Sequence, residues 1–363
     1  MLKYFNYLSL AGLLLSTSCV MAQQPDRLDQ PSPMSPAAHS VLLTDITQAG
    51  ERLVAVGDFG VVLFSDDQGH SWSQAQVPVT TLLTSVHFTS SESGWVTGHD
   101  GVLLFSDTAG AEWQLFFDGN QINQKKVDYF EAQIALLTDD DLADDPFLED
   151  DLAFDLEDAQ FALEEGPVNP LLNVWFMNQQ TGFLLGAYGL ALRTDDGGQH
   201  WSIFSSDLPN PDQFHLNAMT QLNDSLVIAG EAGLLLRSDD QGHSWYELPS
   251  PYEGSFFDVI AHQEALFVLG LRGHLFMSLD GGFDWQEIPV DTTVSFMGAY
   301  SDGERLAIAG LAGTLLSGDQ PEQLQLLSTG TRQHFNAVVR TTEGWVLAGE
   351  QGIFRQGKQE GTQ

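Results

Sequence analysis

The sequence has one cysteine, Cys19, among 363 residues. A chain cleaved after Ala22 therefore has no thiol, no disulfide to restrain its unfolded state and no thiolate nucleophile. Its stability has to come from core packing. Basic residues are nearly as scarce, 13 Lys and Arg against 50 Asp and Glu, for a formal net charge of -37. A surface of that sign repels phosphate backbones and anionic headgroups, which excludes nucleic acid as a partner. After the N-terminal stretch no apolar run approaches the roughly 20 residues that a membrane-spanning helix needs. The ten histidines form no His-Glu-x-x-His pair, and no Gly-x-Ser-x-Gly nucleophile elbow occurs. Neither a metal nor a cofactor is assigned.

The N-terminus has the pattern of an export signal over residues 1–22. Lys3 supplies the positive start, Leu8 to Leu15 the apolar core and Val20-Met21-Ala22 the small-residue cleavage site. This predicts a periplasmic or secreted protein; lipid attachment through Cys19 is the alternative. Residues 23–40 follow, with Pro25, Pro31, Pro33 and Pro36.

From there a unit of about 40 residues recurs. Its marker is the glycine that ends one short apolar run before a tight link to the next, at Gly57, Gly98, Gly186, Gly230, Gly270, Gly310 and Gly349. Short apolar runs joined by glycine-bounded two-residue links are antiparallel hairpins. A further strand precedes each hairpin, as at Thr44-Asp45-Ile46 and Phe257-Asp258-Val259, and a fourth follows, as at Trp245-Tyr246-Glu247-Leu248. Four strands repeated seven times predict an all-β, seven-bladed propeller over residues 41–357, with strands a to d in each blade. The seventh unit has no visible fourth strand, so Arg27 to Gln30 is expected to close the last blade. Residues 358–363 are a tail.

A second motif falls between strands c and d. It reads Ser/Thr-x-Asp-x-Gly-x-x-Trp at Ser65, Asp67, Gly69 and Trp72; at Thr194, Asp196, Gly198 and Trp201; at Ser238, Asp240, Gly242 and Trp245; and at Ser278, Asp280, Gly282 and Trp285. A degraded copy keeps Ser106, Thr108, Gly110 and Trp113. An aspartate in a tight turn accepts backbone N–H groups, glycine takes the left-handed conformation, and Trp packs beneath. The motif is therefore read as structural.

The boxes resemble Asp-box, or BNR, repeats. The wider unit resembles the photosystem II stability/assembly factor family and its bacterial relatives outside photosynthesis. The resemblance implies a non-enzymatic scaffold that holds membrane-protein intermediates, and some relatives accompany transporters. It also implies a basic face, whose matching positions hold Arg193, Arg237 and Arg355 but Phe64, Phe105 and Met277 in other blades. Because secreted glycosidases share the box, a carbohydrate-active enzyme is the alternative, with Asp58 or Glu231 as candidate channel carboxylates.

Two features point to a partner. The b–c turns place Phe59, His99, Tyr188, Glu231, Leu271 and Arg272 on the face opposite the boxes, with Leu311 beside them, and these with the three arginines form the expected partner surface. An insertion of roughly residues 118–170, between blades two and three, combines runs such as Asp139-Asp140-Asp141 with interleaved Leu and Phe. It is read as a solvated loop or a partner-binding arm emerging on that same face. A calcium loop is disfavoured by the lack of any glycine between Gly119 and Gly166. The expected protein is a monomer that binds a membrane-protein complex or another envelope protein and has no membrane span of its own.

Overall fold

Strands b and c are apolar at nearly every position because both of their faces are covered. In blade four, Ser225–Gly230 is buried from Leu226 onward, and its partner strand Leu235–Ser238 leaves only Arg237 partly open. Such a strand cannot be stable on a one-sided sheet, so each unit stacks between two neighbours. The computed structural model, which describes residues 26–357, shows the result: seven antiparallel sheets with strands in chain order, six of four strands and one of three. The core lies between blades. Ala218 and Val227 of blade four, for example, pack with Phe256 and Val268 of blade five. The expected export signal and the tail fall outside the described residues.

The inner strands bulge at a shared position. Pairing skips one residue in every blade, at Thr44, Thr84, Leu172, Asn217, Phe257, Met297 and Asn336, so that Asp45 and Asp258 directly follow the bulge. Several of these side chains reach the neighbouring inner strand. Asn217 Nδ2 donates to the Phe256 carbonyl at 2.7 Å, and Asp258 accepts from the Ala299 amide at 2.7 Å.

Ring closure differs from the expectation. Arg27–Asp29 is a single 3-10 turn capped by Asp26, not a strand, and blade seven keeps three strands among the described residues. Pro31, Pro33 and Pro36 lack the amide donors that an added strand would need. The segment instead lies along blade one, where the Ser32 amide donates to the Val77 carbonyl at 2.9 Å and Leu28 packs near Val79. Among the described residues the contacts that close the ring come from the inner strands. Asn336 Nδ2 donates to the Leu43 carbonyl at 2.8 Å, and Gln48 Nε2 to the Arg340 carbonyl at 2.9 Å. The chain at His39–Ser40 covers the blade-seven turn so closely that a Cβ on Gly352 would collide with the His39 carbonyl.

The insertion is helical. Asp118 caps α1 (Gly119–Leu136) with a full capping box, Thr138 caps α2 (Asp139–Asp144) in the same way, and α3 (Leu148–Glu165) returns along α1. Asn123 fixes the pairing by donating to the carbonyls of Ala162, at 2.8 Å, and Gly166, at 3.1 Å. The insertion is a helical hairpin and not a solvated loop.

Candidate functional site

The boxes bind their own hydroxyls and carboxylates, while the Trp201 and Trp285 indole nitrogens are buried without a partner. Ser238 Oγ donates to Asp240 at 2.8 Å and accepts from the Gly242 amide at 2.8 Å. Asp240 accepts from the Ser244 amide at 2.8 Å and from its hydroxyl at 2.6 Å. The Trp245 indole donates to the Gly242 carbonyl at 3.2 Å. Ser65, Asp67, Gly69 and Trp72 repeat the arrangement, as do the Ser/Thr–Asp–Gly contacts at Thr194 and Ser278. The serine hydrogen bonds hold the Asp67 and Asp240 carboxyls far below their usual range, and those from His200 bring Asp196 down to about 2. In blade two Thr108 Oγ1 takes the aspartate's place, accepting from the Glu112 amide at 2.9 Å. Trp72, Trp201, Trp245 and Trp285 are anchors of the ring.

The three arginines lie on the box face, away from the b–c turns. Each sits at the end of strand c, on the box side, and reaches the box of the next blade. Arg193 donates to the Gln241 carbonyl at 3.0 Å and chelates Asp195. Arg237 donates to the Gly281 carbonyl and pairs with Asp239. Arg355 meets His70 of blade one and Glu343 at 2.8 Å. Arg193 and Arg237 are mostly buried by these contacts, so their guanidinium groups hold blades together.

The opposite face is more open. Its turns, Asp58–Gly60, Ala187–Gly189, Glu231–Gly233, Leu271–Gly273 and Leu311–Gly313, carry positive φ at both the second residue and the glycine. That is the twist a two-residue hairpin requires. The first residue folds in and the second points out. Phe59 and Tyr188 are therefore 53% and 56% exposed, and Arg272 is exposed, while Leu271 and Leu311 are half-buried against expectation. Bulky residues in the left-handed region cost about 1–2 kcal/mol each, so the two aromatic side chains are held outward at a cost. His99 is half-buried, because its turn is covered: Asp100 is bound by Arg27 at 3.0 Å and by Thr81 at 2.7 Å, and Gly101 abuts Gly119. Asp58 caps the Phe59 amide at 2.8 Å, and Glu231 faces His215 at 3.2 Å. The candidate carboxylates of an enzyme are thus engaged locally, on separate blades. Among the described residues no group of three or more His, Cys, Asp or Glu is placed to hold a metal ion.

The channel holds a polar belt that was not singled out as a site from sequence. Its signal was there, the middle residue of each aligned inner-strand triplet. Asp45 accepts from the Ile46 and Val86 amides, both at 2.8 Å, and Asp258 from Val259 at 2.8 Å and Ala299 at 2.7 Å. Burial pushes Asp45 up to about 6. Burial, with the Asp45 charge as a lesser cause, pushes Asp258 up to about 7. Both residues are half-buried on the inner strands.

Two further features frame the faces. The α1–α3 hairpin rises from the b–c side next to blade three, where Tyr129 and Ser206 hydroxyls meet at 2.5 Å. On the box side, blades six and seven leave a cavity of about 630 Å³ lined by Leu327, Trp345, Gly344, Gly357, Arg305 and Arg340. Leu327 holds the register position of Phe204: each amide donates to the carbonyl of the neighbouring strand c, Leu315 and Ala191 respectively. Phe204 stacks on the box Trp of the next blade, whereas Leu327 packs in a cluster with Trp345 of blade seven, a strand-b residue and not a box Trp.

Comparison with known proteins follows the same lines. Residues 157–252 match the family model described as photosynthesis system II assembly factor YCF48. A photosystem II assembly lipoprotein Ycf48 from Synechococcus sp. (strain CC9902) is 34% identical over 84 residues, which is 23% of this chain and 25% of that protein. The match thus spans about a quarter of the curated relative's length. Among solved structures, YCF48 bound to D1 peptide superposes with TM-score 0.59 at 14% identity over 89% of this chain and 94% of the other. YCF48 from Cyanidioschyzon merolae does so with TM-score 0.59 at 13% identity, over 89% and 97%. The WD40 propeller domain of Doa1 has TM-score 0.56 at 10% identity, over 92% and 97%. The structural likenesses establish the propeller fold. The two sequence matches support the resemblance to a photosystem II assembly factor-like family.

Proposed function

Starting from a propeller of the photosystem II assembly factor-like type, we propose that this protein is an exported, non-enzymatic scaffold that supports assembly or stability of a membrane-protein complex in the cell envelope. The observation that carries this reading is the division of labour between the two faces. The box face spends its aspartates, arginines and tryptophans on holding blades together. The other face presents Phe59 and Tyr188 outward and carries the acidic hairpin at its rim. Large aromatic side chains on a rigid frame are the residues that anchor protein partners. The relatives support the binding role: one is a photosystem II assembly lipoprotein, and one was solved with a D1 peptide. Among the described residues no helix is long and apolar enough to cross a membrane, so the membrane component belongs to the partner. A transporter is the partner class we favour, because the family resemblance extends to proteins that accompany transporters.

The test is affinity capture from detergent-solubilised envelopes with the full mature chain, alongside Phe59→Ser/Tyr188→Ser. Recovery of an integral membrane complex by the wild type and its loss in the double variant are expected. Recovery unaffected by these changes refutes the assignment of this face. A glycan hydrolysed by the wild type, with turnover abolished by Glu231→Gln, refutes the scaffold reading in favour of the secreted enzyme.

A further inference from the structure

The α3 helix has two unlike sides. Leu148, Leu152, Leu156, Ala159 and Leu163 are buried or partly buried, and the helix packs along α1. Phe147, Phe154 and Phe161 face away, 69%, 63% and 59% exposed. They are spaced seven residues apart, two helical turns, so they form one row with a repeat of about 10.5 Å. Between the rings on the same side lie Asp150 and Asp151, Glu157 and Asp158, and then Glu164 and Glu165, all exposed. Three exposed phenylalanines in register on one helix are not the scattered apolar residues of an ordinary surface.

The charges around the row decide what covers it. The only lysines among the described residues, Lys125 and Lys126, are on α1, and Lys126 is already coupled to Asp155 and Asp158. The outward carboxylates thus remain a negative frame around an apolar stripe. A second copy of the chain would bring the same negative frame against it, and an anionic bilayer would repel it. An α-helix with apolar residues at three- and four-residue spacing, flanked by Lys and Arg, matches both the stripe and the charge.

We infer that the outer face of α3 docks a basic amphipathic helix of another protein, with Phe147, Phe154 and Phe161 as anchors. This deepens the scaffold reading, on which it rests, by naming the element that the partner presents. Docking would extend the α1–α3 pair to a three-helix arrangement and cover the rings. The salt dependence would be steep, because the carboxylates steer the approach.

The test uses the full mature chain and two labelled 18-residue peptides that share a leucine stripe, one flanked by lysines and one by glutamates. The lysine peptide should bind, and bind at least tenfold more weakly to Phe147→Ser/Phe154→Ser/Phe161→Ser and in 0.5 M salt. The glutamate peptide should not bind. Circular dichroism melting checks that the exposed-site variant folds; should it not, the single change Phe154→Gln carries the comparison. Equal binding of the lysine peptide to wild type and variant overturns the inference. So does wild-type self-association or binding to phosphatidylglycerol vesicles, in place of peptide binding, that the serine changes abolish. Phenylalanine-dependent peptide binding with no membrane complex captured would fail the scaffold reading alone. A captured complex with phenylalanine-independent peptide binding would fail only the helix docking.

Discussion

Phe204 of blade three stacks on Trp245 of blade four, with ring centroids 6.3 Å apart and planes 25° apart. The contact shows how a box serves the ring: the turn belongs to one blade and its Trp fills the seam with the blade before. Trp245→Ala should lower stability by about 3–5 kcal/mol, the usual cost of emptying such a site, measured by urea unfolding. At the sixth seam the argument reverses. Phe204→Trp should overpack and cost about 1–3 kcal/mol. Leu327→Trp should be tolerated, because it points at a cavity of about 630 Å³.

Arginines on the two faces should behave differently. Arg237 is mostly buried, and its loss removes the donor to the Gly281 carbonyl and the cation beside Asp239, which keeps only the Ser225 and Tyr246 hydroxyls. Arg237→Met should cost roughly 1–3 kcal/mol. Arg272, exposed at its turn, should accept the same change with little loss. Equal losses in thermal melts would mean that the box-side contacts do not hold the blades.

Asp258 predicts an unusual pH response. Its folded pKa is raised to about 7 by burial, so the folded state keeps a proton that the unfolded chain gives up near pH 4. Stability from this group is present at low pH and is lost as pH rises from about 4 through about 7, opposite to the trend of a salt-bridged aspartate. The difference in unfolding free energy between wild type and Asp258→Asn should shrink from pH 5 to pH 8. A difference that grows with pH would show the carboxylate to be ionised and stabilising.

The box hydroxyl should matter more than its size suggests. Ser238 is fully buried, and its hydroxyl accepts the Gly242 amide. Ser238→Ala leaves that amide unpaired and should cost about 1–3 kcal/mol, whereas the exposed Ser244→Ala should cost less. Denaturant midpoints of the two variants decide it.

The blades were legible in the sequence because their chemistry is local. A hairpin needs Gly57 and Phe59-Gly60 next to one another, and a box needs Ser238, Asp240, Gly242 and Trp245 within eight residues. The features misread are the ones fixed at a distance. The Arg193 guanidinium finds its carbonyl 48 positions away, in the next blade, which no spacing reveals. Chain order points Arg27 to Gln30 at blade seven, yet Leu28 and the prolines that follow, Pro31, Pro33 and Pro36, suit the flank of blade one. The hairpin was obscured by composition. Its acidic residues suit a solvated loop as well as a partner-binding arm, and it is the capping boxes at Asp118 and Thr138 and the apolar side of α3 that specify helices. The outward aromatics were half legible: the turns located Phe59, Tyr188 and Leu271, but only the left-handed second position separates the exposed pair from the leucine.

The seams of the ring are unequal. Boxes in blades one to five each fill the seam behind them, and Leu324 does so for blade six, packing near Ile288 and Val290. Between blades six and seven Leu327 and Trp345 leave an open cavity where the other seams hold a box or Leu324, and among the described residues no strand pairs the outer edge of Gly352–Gly357. A circle with one thin joint does not breathe evenly. Its spontaneous openings concentrate there, so amide hydrogens on that edge exchange with solvent ahead of those in the complete blades. The molecule behaves as a split washer, stiff around most of its circumference and compliant at one gap.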